Sequence, residues 1–412
     1  MNHFKLYGSD YSRRDASKRP LSARTGYNEH STMATLDLIY FDAGGGHRAA
    51  ATALKAILER EHPEIEPRLL HLRDVLDSVD VFRKVLHIDL QAIYNLMLRK
   101  GWTLGSETGL RFMQSLIRLY TNAEARLMED WWRKTGPPDM AVSLIPNFNE
   151  AIFKAWQRVA PGRRYVSVLT DIADFPPHFW MEKQPQYFIC GSQHAVEQAR
   201  AMGHPAERIF LTSGMILQPR FYDLPALDRD AERVKLGLDP TLPTGLVLFG
   251  GYGSSSMLEI ARRLEPLAGK LQLILIAGKN AKLESALRAL PGKLRRHVVG
   301  FTSEVPYFMR LADFFIGKPG PGSLSEAVHL GLPCVTTRNA WTLPQERYNS
   351  EWLTENGFGV VLKSFSAIEA TVRELLSSEN GLNKMRQRTA HSQNRALYEI
   401  PAILSQILRH DV

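Results

Sequence analysis

The sequence predicts an α/β protein with two doubly wound, Rossmann-like domains that face each other across a cleft. Short apolar runs alternate with helical patterns twice along the chain. A glycine-rich turn follows the first apolar run of each half, and a proline-rich, charged segment over residues 217–245 separates the halves. The 412 residues are enough for two sizeable cores.

The apolar runs are the predicted strands. In the first half they are Leu36 to Phe41, 68–72, 140–145, 164–170, 186–190 and 208–212; in the second half they are 245–251, 271–278, 297–301, 313–317, 333–337 and 359–362. We therefore predict a disordered polar lead over 1–33, an N-terminal domain over 34–217, a linker over 218–244, a C-terminal domain over 245–390, and a last helix over 391–412 that can cross back to the first domain.

Composition narrows the function classes. The formal net charge of +8 is modest for this length, so it does not indicate a nucleic-acid partner, but it suits an anionic surface or a nucleotide. Cys190 and Cys334 form neither a disulfide framework nor a metal-binding spacing, which favours a reducing compartment and no metal cofactor. No apolar run approaches the ~18 residues of a membrane span. Arg13 and Arg14 precede no apolar stretch, so we expect no export signal.

The first glycine turn lies between a predicted strand and a predicted helix. Gly44, Gly46 and Ala49 fit the pattern G-x-G-x-x-[G/A], which alone is a weak dinucleotide signal because Asp74 lies late for a ribose-binding acid. His47 stands at the helix N-terminus, where the helix dipole disfavours an imidazolium ion, so we expect a neutral histidine that can accept a proton. The alternative is that His47 only closes the turn.

The second glycine turn, LFGGYGSSS, covers Leu248 to Ser256. Backbone N–H groups of Gly251, Gly253 and Ser254 could bind phosphate. The lysine of a P-loop motif is missing, so an ordinary strand-to-helix turn is the alternative.

The stretch GKPGPGSLSEAVHLGLPCV, residues 317–335, presents one carboxylate, Glu326, from a rigid turn and a short helix. A carboxylate held in this way can accept two hydrogen bonds from a ribose diol. The alternative is a capping box in which Glu326 bonds back to the Ser323 N–H. Gln345 and Glu346 follow the next strand and suit sugar hydroxyls or solvent.

Five segments resemble the monogalactosyldiacylglycerol synthase family and, more distantly, the peptidoglycan N-acetylglucosaminyltransferase. They are, in chain order, GGGHRAAATAL, VSVLTDIADFPPHFW, LILIAGKNAKL, GKPGPGSLSEAVHLGLPCV and LPQERYNSEWLTENGFGVV, and the resemblance spans about residues 36–365. It implies an inverting glycosyltransferase of the B-type fold that uses a UDP-sugar and no obligate metal. Its C-terminal half would hold UDP and its N-terminal half a lipid acceptor, most simply diacylglycerol.

The resemblance also implies roles for individual residues. Glu326 would bind the ribose, Gln345 and Glu346 the donor sugar, and His47 would be the general base with Asp42 or Asp171 near it. The diphosphate would be lined by Gly251, Gly253, Ser254, Pro321, Gly322 and Ser323, and the acceptor or the membrane would meet Gly45, Gly46, Phe179 and Trp180. Tyr252 stands where the family usually has a glycine, and Phe175 where it has a histidine.

A membrane partner is expected from two features. The segment 79–134 is amphipathic, with Leu, Met and Trp interleaved with Arg and Lys, which is typical of interfacial helices and also of ordinary packing helices. With a lipid acceptor, this favours a cytoplasmic protein held peripherally on the inner face of an anionic membrane.

Other functions remain open from the sequence. A transferase of the same fold could act on a polyprenyl-linked or lipopolysaccharide-type acceptor, and a UDP-sugar 2-epimerase would need no acceptor. A nicotinamide-dependent oxidoreductase would use the first glycine turn, and a non-catalytic protein would bind a UDP-sugar without turnover.

Overall fold

Two parallel six-stranded sheets form the framework, which confirms the predicted fold class. The computed structural model describes residues 33–42, 46–77, 106–175, 177–377 and 381–409. Within these residues the first sheet has the strand order β2-β1-β3-β4-β5-β6 and the second β12-β11-β10-β7-β8-β9. Neighbouring strands are parallel in both sheets, as expected where helices connect successive strands.

The first sheet comprises β1 (Ala34–Tyr40), β2 (Ile65–His71), β3 (Met140–Ser143), β4 (Arg164–Val168), β5 (Tyr187–Cys190) and β6 (Ile209–Leu211). Its described helices are α1 (Gly46–Glu61), α2 (Leu72–Asp77), α3 (Ser106–Thr135), α4 (Asn149–Val159) and α5 (Gln193–Ala201). All four residues of β3 are buried, because a strand covered by helices on both faces has no solvent side.

The second sheet comprises β7 (Thr244–Leu248), β8 (Gln272–Ile276), β9 (Arg295–Val299), β10 (Phe314–Gly317), β11 (Cys334–Thr337) and β12 (Gly359–Leu362). Its helices are α6 (Arg229–Lys235), α7 (Ser256–Arg263), α8 (Ala281–Arg288), α9 (Val305–Leu311), α10 (Pro321–His329), α11 (Arg347–Glu355), α12 (Ile368–Ser377) and α13 (Gly381–His391). Two buried apolar clusters, one on each face, hold these helices to the sheet.

The last helix, α14 (Ala396–Arg409), follows the second sheet in the chain but packs into the first core. Its apolar residues Leu397, Ile400 and Leu404 are at most 1% exposed. The return is held by side chains, since the Asn394 amide donates to the Met215 carbonyl at 2.8 Å. The two halves are therefore joined by two chain crossings.

The amphipathic segment that we associated with a membrane falls into two parts. Residues 79–105 lie outside the described residues. The C-terminal part of α3 is a packing helix, because Trp132 is fully buried and its indole Nε1 donates to Asp37 at 2.8 Å. In the part of the chain that the structure describes, no helix has the length and apolarity to cross a bilayer.

Asp313 connects several elements of the second half at the point where β7 and β10 begin. Its carboxylate accepts hydrogen bonds from Arg229 and Arg233 at 2.7 Å, from Arg386 at 3.1 Å, and from the backbone N–H of Thr244 at 2.7 Å. Burial alone would raise the pKa of this carboxyl, but the two nearer guanidinium groups and the Thr244 N–H outweigh burial and lower it below its ordinary value of 3.8.

We predict that Asp313→Asn destabilises the fold by about 3–5 kcal/mol, because the nearly buried Arg233 would lose its countercharge. Since the folded-state pKa is depressed, the stabilisation is present above the unfolded pKa and is lost as pH falls through the lower folded value. Wild-type stability should therefore drop below about pH 4 more steeply than that of the variant.

Urea unfolding at several pH values checks this. The exposed Glu259–Arg263 pair is the control, and Glu259→Ala should cost less than about 1 kcal/mol. Equal losses in the free energy of unfolding for Asp313→Asn and Glu259→Ala would contradict the proposed importance of Asp313 and its arginine partners.

Candidate active site

Each sheet reverses its strand order at one point, and the loops at the carboxyl ends of the strands there are the natural place for a ligand. In the first sheet β1 lies between β2 and β3. In the second sheet β7 lies between β8 and β10, with Leu248 of β7 opposite Gly317 of β10. The glycine turns singled out from the sequence follow β1, β7 and β10.

His47 lies in the first turn of α1, directly after the first reversal point. Its Nδ1 lies 2.7 Å from the hydroxyl oxygen of Thr170, and its ring centroid lies 5.9 Å from that of Trp180. Burial lowers the pKa of His47 to about 4, although a hydrogen bond with the Leu144 backbone acts in the opposite direction. The imidazole is therefore neutral at pH 7, as the sequence predicted.

The two acids expected beside His47 have other partners. Asp42 accepts a hydrogen bond from Arg48 at 3.1 Å. Asp171 accepts one at 2.9 Å from the indole of Trp180, the residue whose ring lies beside His47. Burial raises the pKa of Asp171 to about 7, opposed by the Trp180 hydrogen bond.

Phe179 and Trp180 are not at a lipid-facing surface, so the prediction that they contact a membrane is wrong. They are 6% and 0% exposed. The reason is Asp174, whose carboxylate accepts the backbone N–H groups of His178 at 3.1 Å and Trp180 at 2.6 Å. This folds the loop back and places both aromatic rings in a cluster with Phe188.

The turn after β10 is held rigidly. The Gly320 N–H donates to the Lys318 carbonyl at 2.8 Å, and the buried amide of Asn349 donates to the Pro319 carbonyl at 2.8 Å. Helix α10 then begins at Pro321, a favoured first helical residue because proline has no N–H to satisfy. The N–H groups of Gly322 and Ser323, in the first turn, are among those that a helix leaves without an internal partner.

Glu326 is not part of a capping box. The N-cap residue is Gly320 with no side-chain cap bond, so Ser323 lies inside the helix and the capping interpretation is wrong. Among the described residues, the half-buried Glu326 carboxylate has no hydrogen-bond partner. Burial raises its pKa to about 7, and the charge of Arg220 acts weakly in the opposite direction.

Gln345 and Glu346 lie in a short 3-10 turn just before α11, and both residues are buried. Glu346 accepts a hydrogen bond from the Lys318 ammonium at 2.7 Å. The turns after β10 and β11 are thereby linked beside the start of α10.

The turn between β7 and α7 is tight. Gly253 has φ +62°, and a Cβ there would lie 2.5 Å from the Ala277 carbonyl oxygen, so only glycine fits. The Gly253 N–H donates to the Gly250 carbonyl at 3.2 Å, which occupies one of the groups that we assigned to phosphate. Ser254 bonds to Ser256 at the start of α7.

The carboxyl edges of the two sheets face each other. The rings of His194 from the first half and Tyr348 from the second are stacked with centroids 4.0 Å apart. The charges of Glu346 and Lys318 also act on the pKa of Asp171, in opposite directions. The candidate donor and acceptor residues thus border one cleft.

Sequence reasoning missed three contributors: Thr170, which bonds His47, Asn349, which holds the β10 turn, and Lys318. Thr170 ends one predicted strand and Lys318 directly follows another, and this position at a strand end is the signal that could have marked them. Gly44 and Gly45 lie outside the described residues, whereas Gly46 is the exposed first residue of α1. The described residues hold no group of three or more histidines, cysteines or acids suited to a metal ion.

Comparison with curated proteins gives relatives along most of the chain. A probable monogalactosyldiacylglycerol synthase 3 from Oryza sativa subsp. japonica is 29% identical over 359 residues, covering 79% of this chain and 65% of the relative. The spinach (Spinacia oleracea) monogalactosyldiacylglycerol synthase is 26% identical, covering 91% and 73%. The chain thus spans just under two thirds of the rice relative's length.

Solved structures support the fold. A Staphylococcus aureus MnaA–UDP structure has a TM-score of 0.58 at 15% identity, covering 92% of this chain and 99% of that one. MurG from Acinetobacter baumannii has a TM-score of 0.60 at 13% identity, covering 90% and 99%. Residues 246–400 match the glycosyltransferase family 28 C-terminal domain. The chain is therefore similar to the glycosyltransferases related to monogalactosyldiacylglycerol synthase, as its motifs indicated.

Proposed function

We propose that the protein is an inverting glycosyltransferase that moves a hexose from a UDP-sugar to a lipid hydroxyl, most simply that of diacylglycerol. The observation that carries the proposal is Glu326, a half-buried carboxylate with no hydrogen-bond partner among the described residues. It stands one turn beyond the Gly-Pro-Gly start of α10, at the reversal point of the second sheet. The names of the rice and spinach relatives support a galactolipid product.

Glu326 is suited to a ribose diol for an electrostatic reason. A carboxylate that is partly buried without hydrogen bonds is costly to ionise, as its raised pKa indicates. Two ribose hydroxyls would supply the missing donors and favour the ionised form. The neighbouring N–H groups of Gly322 and Ser323 and the turn at Gly251 and Ser254 would then meet the diphosphate.

His47 is proposed as the general base. Thr170 holds the ring through Nδ1, and we assign Nε2 to the proton of the acceptor hydroxyl. As this hydroxyl oxygen attacks the anomeric carbon, the neutral imidazole takes its proton. The bond to the β-phosphate oxygen breaks, and UDP leaves with its increased negative charge stabilised by backbone N–H groups. Gln345 and Glu346 would bind the sugar, and no metal is required.

We assign the acceptor headgroup to the carboxyl edge of the first sheet. Asp42, Gly45 and Gly46 precede the proposed base in the chain, and Asp171 bonds to Trp180, whose ring lies beside His47. Membrane binding on the inner face of an anionic bilayer remains a proposal that rests on the basic charge and on residues 79–105, since the described aromatic candidates are buried.

A radiochemical assay tests the proposed reaction. Purified protein is incubated with labelled UDP-galactose, UDP-glucose or UDP-N-acetylglucosamine and diacylglycerol in mixed micelles containing anionic lipid, and products are separated by thin-layer chromatography. We expect a labelled glycolipid from one donor. His47→Ala should lower turnover about 10²- to 10⁴-fold without weakening UDP binding.

The control is His62→Ala, which removes a histidine just beyond the other end of α1 and should leave turnover unchanged. Unchanged turnover in His47→Ala would dismiss the base assignment. Conversion of UDP-N-acetylglucosamine without any acceptor would instead identify an epimerase, and UDP binding without a product would direct the search to polyprenyl or saccharide acceptors.

The ribose assignment predicts a pH dependence for uridine binding. Because the ionised carboxylate is the form that accepts both ribose hydroxyls, affinity should fall about tenfold between pH 8 and pH 6, through the raised pKa of about 7 for Glu326. Uridine carries no phosphate that titrates in this range. Glu326→Gln should bind more weakly by about 1.5–3 kcal/mol at pH 8 and lose the pH dependence.

Titration calorimetry or ligand-observed NMR at several pH values measures this. Glu374→Gln, which alters an exposed residue of α12, is the control and should behave as the wild type does. An unaltered pH dependence in Glu326→Gln would rule out the ribose role.

A further inference from the structure

Lys318 occupies the reversal point of the second sheet but has no role in the reaction as described so far. It is the first residue after β10, which pairs there with β7. A Cβ on Gly320 would lie 3.3 Å from Lys318 Cε, and a Cβ on Gly250 would lie 4.0 Å from the same atom. The lysine side chain therefore lies between the two glycine turns that flank the proposed diphosphate position.

The present partner of Lys318 is the carboxylate of Glu346, at 2.7 Å. The two ends of this ion pair differ in exposure, because the lysine side chain is 43% exposed and the glutamate 10%. The ammonium group thus remains accessible from the cleft, and its flexible four-carbon stem can reorient with little cost.

We propose that Lys318 binds the diphosphate of the UDP-sugar and stabilises the departing β-phosphate, and that Glu346 holds the lysine in place until the donor arrives. This inference rests on the proposed function. A sugar hydroxyl that donates to Glu346 takes over part of the hydrogen bonding that the ammonium supplies in the free protein. The ammonium then turns towards the phosphate oxygens between the two glycine turns.

The reaction stays balanced with this assignment. The bond between the anomeric carbon and the β-phosphate oxygen breaks, and the bond to the acceptor oxygen forms. The acceptor proton goes to His47, and the β-phosphate leaves with the bonding electron pair. The ammonium group of Lys318 offsets the charge that develops on the leaving group, a role that a metal ion plays in other enzymes.

A purely structural lysine would serve only to neutralise the buried Glu346. The two roles differ in what they do to different ligands. A phosphate-binding lysine strengthens the binding of UDP but not of uridine, whereas a structural lysine affects both ligands equally or affects neither. The ratio of the two affinities therefore separates the roles.

The test compares dissociation constants for UDP and uridine by calorimetry at low salt. Lys318→Met should weaken UDP binding about 10- to 100-fold and leave uridine binding unchanged. Lys318→Arg should retain most of the UDP affinity because it keeps the charge. The control Lys235→Met removes a lysine that also pairs with a glutamate, Glu232 on α6, and should leave both affinities unchanged.

A second variant guards against misfolding. Lys318→Met alone leaves a nearly buried carboxylate without its cation, so the double variant Lys318→Met/Glu346→Gln makes the pair neutral. Its melting temperature should be near that of the wild type, and its UDP affinity should remain low. If the ratio of UDP affinity to uridine affinity in this variant equalled that of the wild type, the role of Lys318 would be overturned. The proposed function would not be affected by that result. If the wild type bound neither ligand, the proposed function and this inference would both fail.

Discussion

The candidate site depends on the fixed turn between β10 and α10. Asn349, on α11, holds the Pro319 carbonyl from one side, and the Thr336 hydroxyl of β11 donates to the Gly317 carbonyl at 2.9 Å from the other. Because these bonds hold the turn, the first N–H groups of α10 and the Glu326 carboxylate keep their relative positions, and the backbone of Lys318 is held beside them. Preorganised polar groups of this kind stabilise developing charge without reorganisation during the reaction.

The second requirement is that two sheets present their carboxyl edges to one cleft. The stack of His194 on Tyr348 joins these edges directly, and α14 returns the chain to the first core. Burial shifts the pKa values of Asp171, Glu326 and His47, which all border this cleft. In each case burial favours the neutral form, so the cleft carries less charge than its composition suggests.

Much of the fold could be predicted from sequence because most strands contain a short apolar run and each reversal point is marked by glycine. The apolar runs at Leu36 to Phe41 and at 271–278 can be identified as strands without any knowledge of tertiary contacts. The ribose-binding candidate Glu326 could also be identified from the sequence, since the turn residues before it define where the helix starts.

What sequence could not supply was side-chain direction. Phe179 and Trp180 are apolar in a loop, and only the two N–H groups held by Asp174 reveal that the loop folds inward. The capping interpretation failed because Pro321 begins the helix two residues before Ser323. Lys318 and Thr170 contact residues 28 and 123 positions away in the chain, and no local pattern encodes such contacts.

The most direct test of the account is a crystal structure of the protein with UDP. We predict a ribose within hydrogen-bonding distance of Glu326 and a β-phosphate between the turns at Gly250–Gly253 and Gly320–Ser323. UDP bound instead at the glycine turn that precedes α1 would contradict the account, because it would assign the nucleotide to the first sheet and leave Glu326 without a ligand.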